Sequence, residues 1–246
     1  MNPTINRLDA RQVAQYERDG YTLFAQPVFA PERFAQLQAI FEEDLARYGD
    51  ADLDTMHFRD ERLLSFLLDD AVLDLVEPLV GPNIGLWSSH FISKAPFKGK
   101  ATPWHEDSSY WKGRISTMEK ICTVWLAMDE ATPENGCMKV IPGSQHGGFS
   151  DYEAVSGEAN IFDTQIKPEL IDRSKTVYFS LKPNECSLHE ARIIHGADAN
   201  NSPQRRAGYT MRYFPTTSLV YPEINRGHKL WLARGVDVAG NTFENA

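Results

Sequence analysis

The chain has 246 residues, a formal net charge of −9, 42% apolar residues and 24% charged ones. That length buries a substantial core, the composition is ordinary globular usage, and acidic and basic residues scattered along the chain exclude a nucleic-acid footprint. No segment is long and apolar enough to cross a bilayer, and the opening "MNPTINRLDARQ" lacks the apolar stretch of a secretory leader, so a cytoplasmic protein is expected.

In chain order, Asp9 reads as the N-cap of a helix through Glu17, which Gly20 ends before a short strand, "YTLFA". Pro31 opens a second helix, in which Phe34, Leu37, Phe41, Leu45 and Tyr48 recur at helical spacing. "ERLLSFLLDD" and "AVLDLVEPLV" also read as helical, and Gly81-Pro82 stops them. Past residue 83 the segments are short and rich in β-branched and aromatic residues: "IGLWSSHFISKAP", "ICTVWLAMDEA", "GCMKVIPGS", "TVYFSLKP", "CSLHEARIIHG" and "AGYTMRYFPT". Turn chemistry such as "PENG", "KPNE" and "NNSPQ" separates them. The expectation is a mainly β fold with flanking helices, built on a jelly-roll or cupin-like double sheet. It forms one domain over residues 1–246, with a helical part about 9–80, a jelly-roll core about 83–217 and a polar tail 218–246. Cys122, Cys137 and Cys186 are an odd number without C-x-x-C spacing and read as small buried hydrophobes in a reducing compartment.

Within "ATPWHEDSSYW", His105 and Asp107 stand two apart. In a strand that spacing puts both side chains on one face, with Glu106 turned away. One imidazole and one carboxylate make two ligands of a metal centre, and a second His would complete the 2-His-1-carboxylate set of non-haem Fe(II) oxygenases. His57 reads as a surface residue of the helical part, and His146 and His228 as solvent-facing. His189 and His195 compete for the third place, and strand parity does not separate them. The residues downstream favour His195: Gly196 comes next, and Arg206 opens another strand. Two antiparallel strands joined by "ADANNSPQ" would bring that guanidinium near the metal. An Arg there is what 2-oxoglutarate requires, because its far carboxylate needs a bidentate cation.

"PWHEDSSYW", "VWLAMDEATPENGCMKVIPGSQHGG", "IIHGADANNSPQRRAGY" and the N-terminal "RDGYTLFAQPVFAPERFAQL" together resemble the phytanoyl-CoA dioxygenase family of Fe(II)/2-oxoglutarate-dependent oxygenases, from about residue 10 to 235. The resemblance implies a double-stranded β-helix, iron held by His105, Asp107 and His195, 2-oxoglutarate held by Arg206, and O₂ and a small molecule as the other substrates. Chlorinating relatives replace the carboxylate ligand with a small residue; this chain keeps Asp107, which favours hydroxylation or another oxidation over halogenation. Thr123 and Trp125, alternating on one strand face, and His90, on the preceding strand, are expected to touch 2-oxoglutarate, with core packing the other reading of Trp125. Tyr110 and Trp111 either wall a substrate pocket or pack beneath a loop. Arg212 shares the face of Arg206 by parity and reads as a surface ion pair, with binding of a substrate anion the other reading, while Arg205 points outward. A cupin-type metalloenzyme without 2-oxoglutarate leaves Arg206 unexplained, and a ligand-binding or sensor jelly roll leaves the intact ligand set unexplained.

Overall fold

A computed structural model describes residues 6–245; residues 1–5, where the leader reading begins, and residue 246 lie outside the described residues. Helix α1 (Ala10–Asp19) starts where the Asp9 carboxylate accepts from the amides of Arg11 and Gln12, and Gln12 accepts in return from the Asp9 amide. Gly20, at φ 80°, ends it in the left-handed region that glycine adopts without strain. Strand β1 (Tyr21–Phe24) and helix α2 (Pro31–Tyr48) come next. "ERLLSFLLDD" is less regular than its apolar content suggests. A 3₁₀ turn leads into one α-turn, α3 (Leu64–Leu67), because the Asp69 carboxylate accepts from the Ala71 amide and caps a new helix, α4 (Asp70–Val80).

The strands are β2 (Ile84–Lys94), β3 (Thr102–His105), β4 (Cys122–Ala127), β5 (Met138–Val140), β6 (Tyr152–Ala154), β7 (Thr164–Ile166), β8 (Val177–Tyr178), β9 (Cys186–Glu190), β10 (His195–Ala197), β11 (Arg206–Pro215) and β12 (Trp231–Arg234), with the single turn α5 (Ser108–Trp111) after β3. They form a six-stranded sheet, β1-β9-β4-β11-β2-β12, and a four-stranded sheet, β3-β10-β5-β8, with β6 and β7 paired apart. Every pairing between these strands is antiparallel. This is the expected jelly roll.

Alternation along β11 shows what the two faces of the large sheet do. Ala207, Tyr209, Met211 and Tyr213 join Val124, Leu126 and Leu188 in a core that Leu37 and Phe41 of α2 and Val72, Leu75 and Val76 of α4 complete. Arg206 and Arg212, on the other face, reach Gly136 and Asp107 on the side of the small sheet. The helices thus cover one face of the large sheet and leave the space between the sheets for polar work.

Three expectations need correcting here. "ADANNSPQ" is not a hairpin loop: β10 lies in the small sheet and β11 in the large one, so the segment crosses between sheets. The Asn200 amide holds the crossover, donating to the carbonyls of Lys94 and Gln204. His57 is not a surface residue; it is 1% exposed, its Nδ1 lies 2.7 Å from Ser89 Oγ, and its ring packs on Phe58 and Trp231. His228 is half-buried, with Nε2 2.7 Å from the Trp87 carbonyl and its ring 4.1 Å from the Trp87 ring. His146 is exposed, as expected. The polar tail contributes β12, which pairs with β2 and buries Trp231. The three cysteines are buried and free.

Candidate metal centre

Cross-strand pairing brings the two histidines together. His105 and His195 are register partners on β3 and β10, and their ring centroids lie 4.1 Å apart. Asp107 joins them by a different route from the one that spacing suggests. β3 ends at His105, and Asp107, at φ −59° and ψ −35°, already turns into α5. The turn, not strand parity, swings its carboxylate to 3.9 Å from His105 Nε2 and 4.0 Å from His195 Nε2. One donor atom from each residue lies within 4.8 Å of the others. Glu106 faces away as expected but is buried, accepting from the Ser150 amide at 2.6 Å.

Both imidazoles are fixed from behind. Nδ1 of His105 lies 2.8 Å from the Pro103 carbonyl, and Nδ1 of His195 lies 2.9 Å from that of Ile193. A carbonyl only accepts, so each Nδ1 carries the proton and each Nε2 offers its lone pair toward Asp107. Burial, then the neighbouring His195, pushes His105 down to about 3, which keeps it a neutral donor. Burial alone would raise Asp107, but Arg212, His195 and His105 hold it below the usual carboxylate range. Two neutral imidazoles and one carboxylate, closed on one side by protein, suit a divalent first-row metal such as Fe(II) with open positions. His189 is 2% exposed, with its ring 5.2 Å from that of His195, and it falls outside the donor group.

Arg206 is 3% exposed, and its Nε and Nη2 both donate to the Gly136 carbonyl, at 2.9 and 2.7 Å. Its guanidinium lies 5.3 Å over the Trp125 ring, and that ring occupies the space above Gly208, where a Cβ would come within 2.1 Å of it. Trp125 therefore packs and also supports Arg206. No carboxylate pairs with Arg206 among the described residues, and burial pushes it down to about 10. The register partner of Arg206, Lys94, donates to the carbonyls of Lys100 and Asp198. Burial, then Arg206, pushes Lys94 down to about 6. The fixed charge at this end of the jelly roll is the guanidinium, and it needs an anion. Arg205 points outward to Asp129 and Glu42, as expected.

Thr123 Oγ1 stands 3.5 Å from Asp107 Oδ2, so Thr123 meets the carboxylate of the candidate triad. His90 shares the inward face but sits four positions along β2 from Lys94, 3.6 Å from Asp54, at a cavity beside Asp107. Arg212 is not a surface ion pair: its side chain is largely buried, and Nε lies 3.3 Å from Asp107 Oδ2. Tyr110 and Trp111 both line that cavity, of about 560 Å³, and Trp111 also packs against Trp87. Sequence reading missed Trp87, Arg114, Phe162 and residues 224–228 on its walls. Nothing in their local pattern marks them, because they come from four separate segments.

The profile of the family described as phytanoyl-CoA dioxygenase (PhyH) matches residues 16–208. A probable phytanoyl-CoA dioxygenase of Caenorhabditis elegans is 28% identical over 236 residues, covering 84% of this chain and 75% of that protein. The ectoine dioxygenase of Sphingopyxis alaskensis is 26% identical over 233 residues, covering 84% and 76%. Among solved structures, the non-heme alpha-ketoglutarate-dependent carbocyclase SnoK from nogalamycin biosynthesis superposes with a TM-score of 0.75 at 20% identity, covering 93% of this chain and 92% of that one.

Proposed function

The chain belongs to the phytanoyl-CoA dioxygenase family, and from that membership we propose that it hydroxylates a small-molecule substrate with O₂, holding iron through His105, Asp107 and His195 and the far carboxylate of 2-oxoglutarate through Arg206. As a member it is an Fe(II)- and 2-oxoglutarate-dependent oxygenase. The observation that carries the site assignment is the buried guanidinium of Arg206, without a carboxylate partner among the described residues, between the same two sheets as the candidate triad. A metalloenzyme that does without 2-oxoglutarate has no use for it.

The bound iron supplies activation of O₂ coupled to oxidative decarboxylation of 2-oxoglutarate to succinate and CO₂. The chain's own groups position and exclude. His105 and His195 present fixed Nε2 lone pairs, Asp107 adds one negative charge, and Thr123 and Arg212 hold that carboxylate in place. Trp125 supports Arg206, and Tyr110 with Phe162 shields the His105 side from water. Asp107 favours hydroxylation over halogenation, since it fills the position that chlorinating relatives leave open. A carbocyclase shares the fold, so the fold leaves the outcome to such local residues.

Residues 1–246 act as one oxygenase domain in this reading, supported by a main hydrophobic cluster that runs from Leu8 to Trp231. No helix among the described residues is long and apolar enough to cross a membrane, and three free buried thiols suit the reducing cytoplasm. The test is anaerobic loading with Fe(II) and 2-oxoglutarate, then exposure to ¹⁸O₂ with candidate substrates and chloride. Succinate should form in step with a product that gains one labelled oxygen. A chlorinated or cyclised main product would overturn the hydroxylase assignment.

A further inference from the structure

We propose that the cavity beside Asp107 takes a small organic anion, its carboxylate or phosphate-type group held by Arg114, Arg212 and Arg226 and its carbon body laid against Tyr110 and Phe162. The inference rests on the oxygenase reading above and names the class of substrate that reading leaves open.

The charge of this cavity runs against that of the chain. The protein carries a formal −9, yet three guanidiniums line the cavity against two carboxylates, Asp54 and Asp107. Asp107 belongs to the triad, and Asp54, with its side chain 65% exposed, faces Arg114 from beyond ion-pair distance. Arg114 and Arg226 have no carboxylate partner among the described residues.

The two inner guanidiniums are held by the same nitrogen. Arg114 Nε donates to Asn225 Oδ1 at 2.7 Å, and Arg212 Nε donates to Asp107 Oδ2 at 3.3 Å. Neither makes a hydrogen bond through its Nη atoms among the described residues, which leaves both terminal forks for a ligand. Their planes are supported by indoles, Arg114 4.9 Å over Trp87 and Arg212 5.6 Å over Trp111. Asn225 is itself pinned, its Nδ2 donating to the carbonyls of Arg114 and Tyr221, so its oxygen can only face Arg114. Preorganised forks of this kind match planar or tetrahedral oxyanions and lose little entropy on binding.

Two aromatic side chains on the cavity wall stand close to the triad. Phe162 lies 5.1 Å from the His105 ring and 5.7 Å from Tyr110. An anion docked on the arginines would extend its body along this wall toward the triad. The volume of about 560 Å³ suits a small organic molecule. The site is separate from the 2-oxoglutarate anchor, since Arg212 lies about 20 Å of extended strand along β11 from Arg206.

The probes are phenylacetate and phenyl phosphate, matched against phenylacetamide and phenethylamine, added to full-length protein loaded with Mn(II) and N-oxalylglycine so that Arg206 is already occupied. Ligand-observed NMR reads affinity, and broadening by Mn(II) reports proximity to the metal. The two anions should bind at least about tenfold more tightly than the amide and the amine, with broadened ring protons. Arg114→Gln should weaken the anions about tenfold or more, and the exposed Arg226→Gln should weaken them less, with Mn(II) and N-oxalylglycine affinities retained. Equal affinity across the four probes, no binding by any, or undiminished anion binding in both variants overturns the proposal. Failure of the unmodified protein to load Mn(II) and N-oxalylglycine overturns the oxygenase reading and this inference together, whereas a loaded protein indifferent to anions overturns this inference alone.

Discussion

His189 and His195 stand on neighbouring inward positions, and hydrogen bonding separates their roles. The Ile193 carbonyl fixes the His195 ring with Nε2 toward Asp107, whereas His189 Nδ1 is buried without a hydrogen-bond partner among the described residues. His195→Ala should therefore cost about 100-fold or more in Fe(II) affinity by anaerobic titration, since a missing ligand exceeds the 10–100-fold loss of its supports. His189→Ala should hold iron nearly as well as the unmodified protein. The reverse result would place His189 in the triad. Arg206→Ala should raise the dissociation constant of 2-oxoglutarate roughly 10²–10³-fold, since breaking a buried charge pair typically costs about 3–5 kcal/mol. Iron affinity should stay near its original value. Arg205→Ala should leave both unchanged, because its fork is spent on Asp129 and Glu42.

At the scale of elements, β12 is the piece whose removal says most. Trp231 is 4% exposed, packs with His57 and Phe58, and pairs through β12 with β2. Trp231→Ala should lower unfolding free energy by about 3–5 kcal/mol, the usual cost of truncating a buried Trp. A denaturant midpoint unmoved by the change would return the tail to the status of an appendage. The sequence texture hid this strand because β12 is short and set among polar residues, so no alternation announces it. Parity was legible where a strand is long: along β11 it put Arg206 and Arg212 on one face and Arg205 outside. It misdirected at His105 and Asp107, which do converge, because the strand stops between them and a helical turn completes the approach. The triad itself was readable from spacing and family resemblance. Arg114 and Phe162 were not, since only the fold brings their segments to one cavity.

For the whole molecule, the buried neutral histidines set how it meets acid. Burial pushes His57 and His105 down to about 3 and His189 well below its usual value. Each folded value lies below the unfolded one of about 6.5, so the unfolded chain binds protons first as pH falls. The part of the stability that these imidazoles contribute is therefore fully present above about pH 6.5 and is lost progressively down to about pH 3. Asp44 works against this trend: burial raises it to about 6, so its neutral form favours the fold below that pH. Burial raises Glu190 as well, but the lowered imidazoles, His90 and His228 among them, outnumber these two carboxylates. His57 is the position to test, because it is away from the metal ligands and its protonation breaks a defined relay. Tyr209 donates to Ser89 Oγ, so the Ser89 hydroxyl is left to donate to His57 Nδ1, an acceptor that a proton removes. Urea midpoints of the metal-free protein should fall as pH is lowered from 7.5 to 4.5. His57→Gln should flatten that fall by up to about 1.4 kcal/mol per pH unit, the contribution of one titrating group. A midpoint that holds or rises with acid, or a slope that His57→Gln does not change, would show that the buried imidazoles do not govern the acid response.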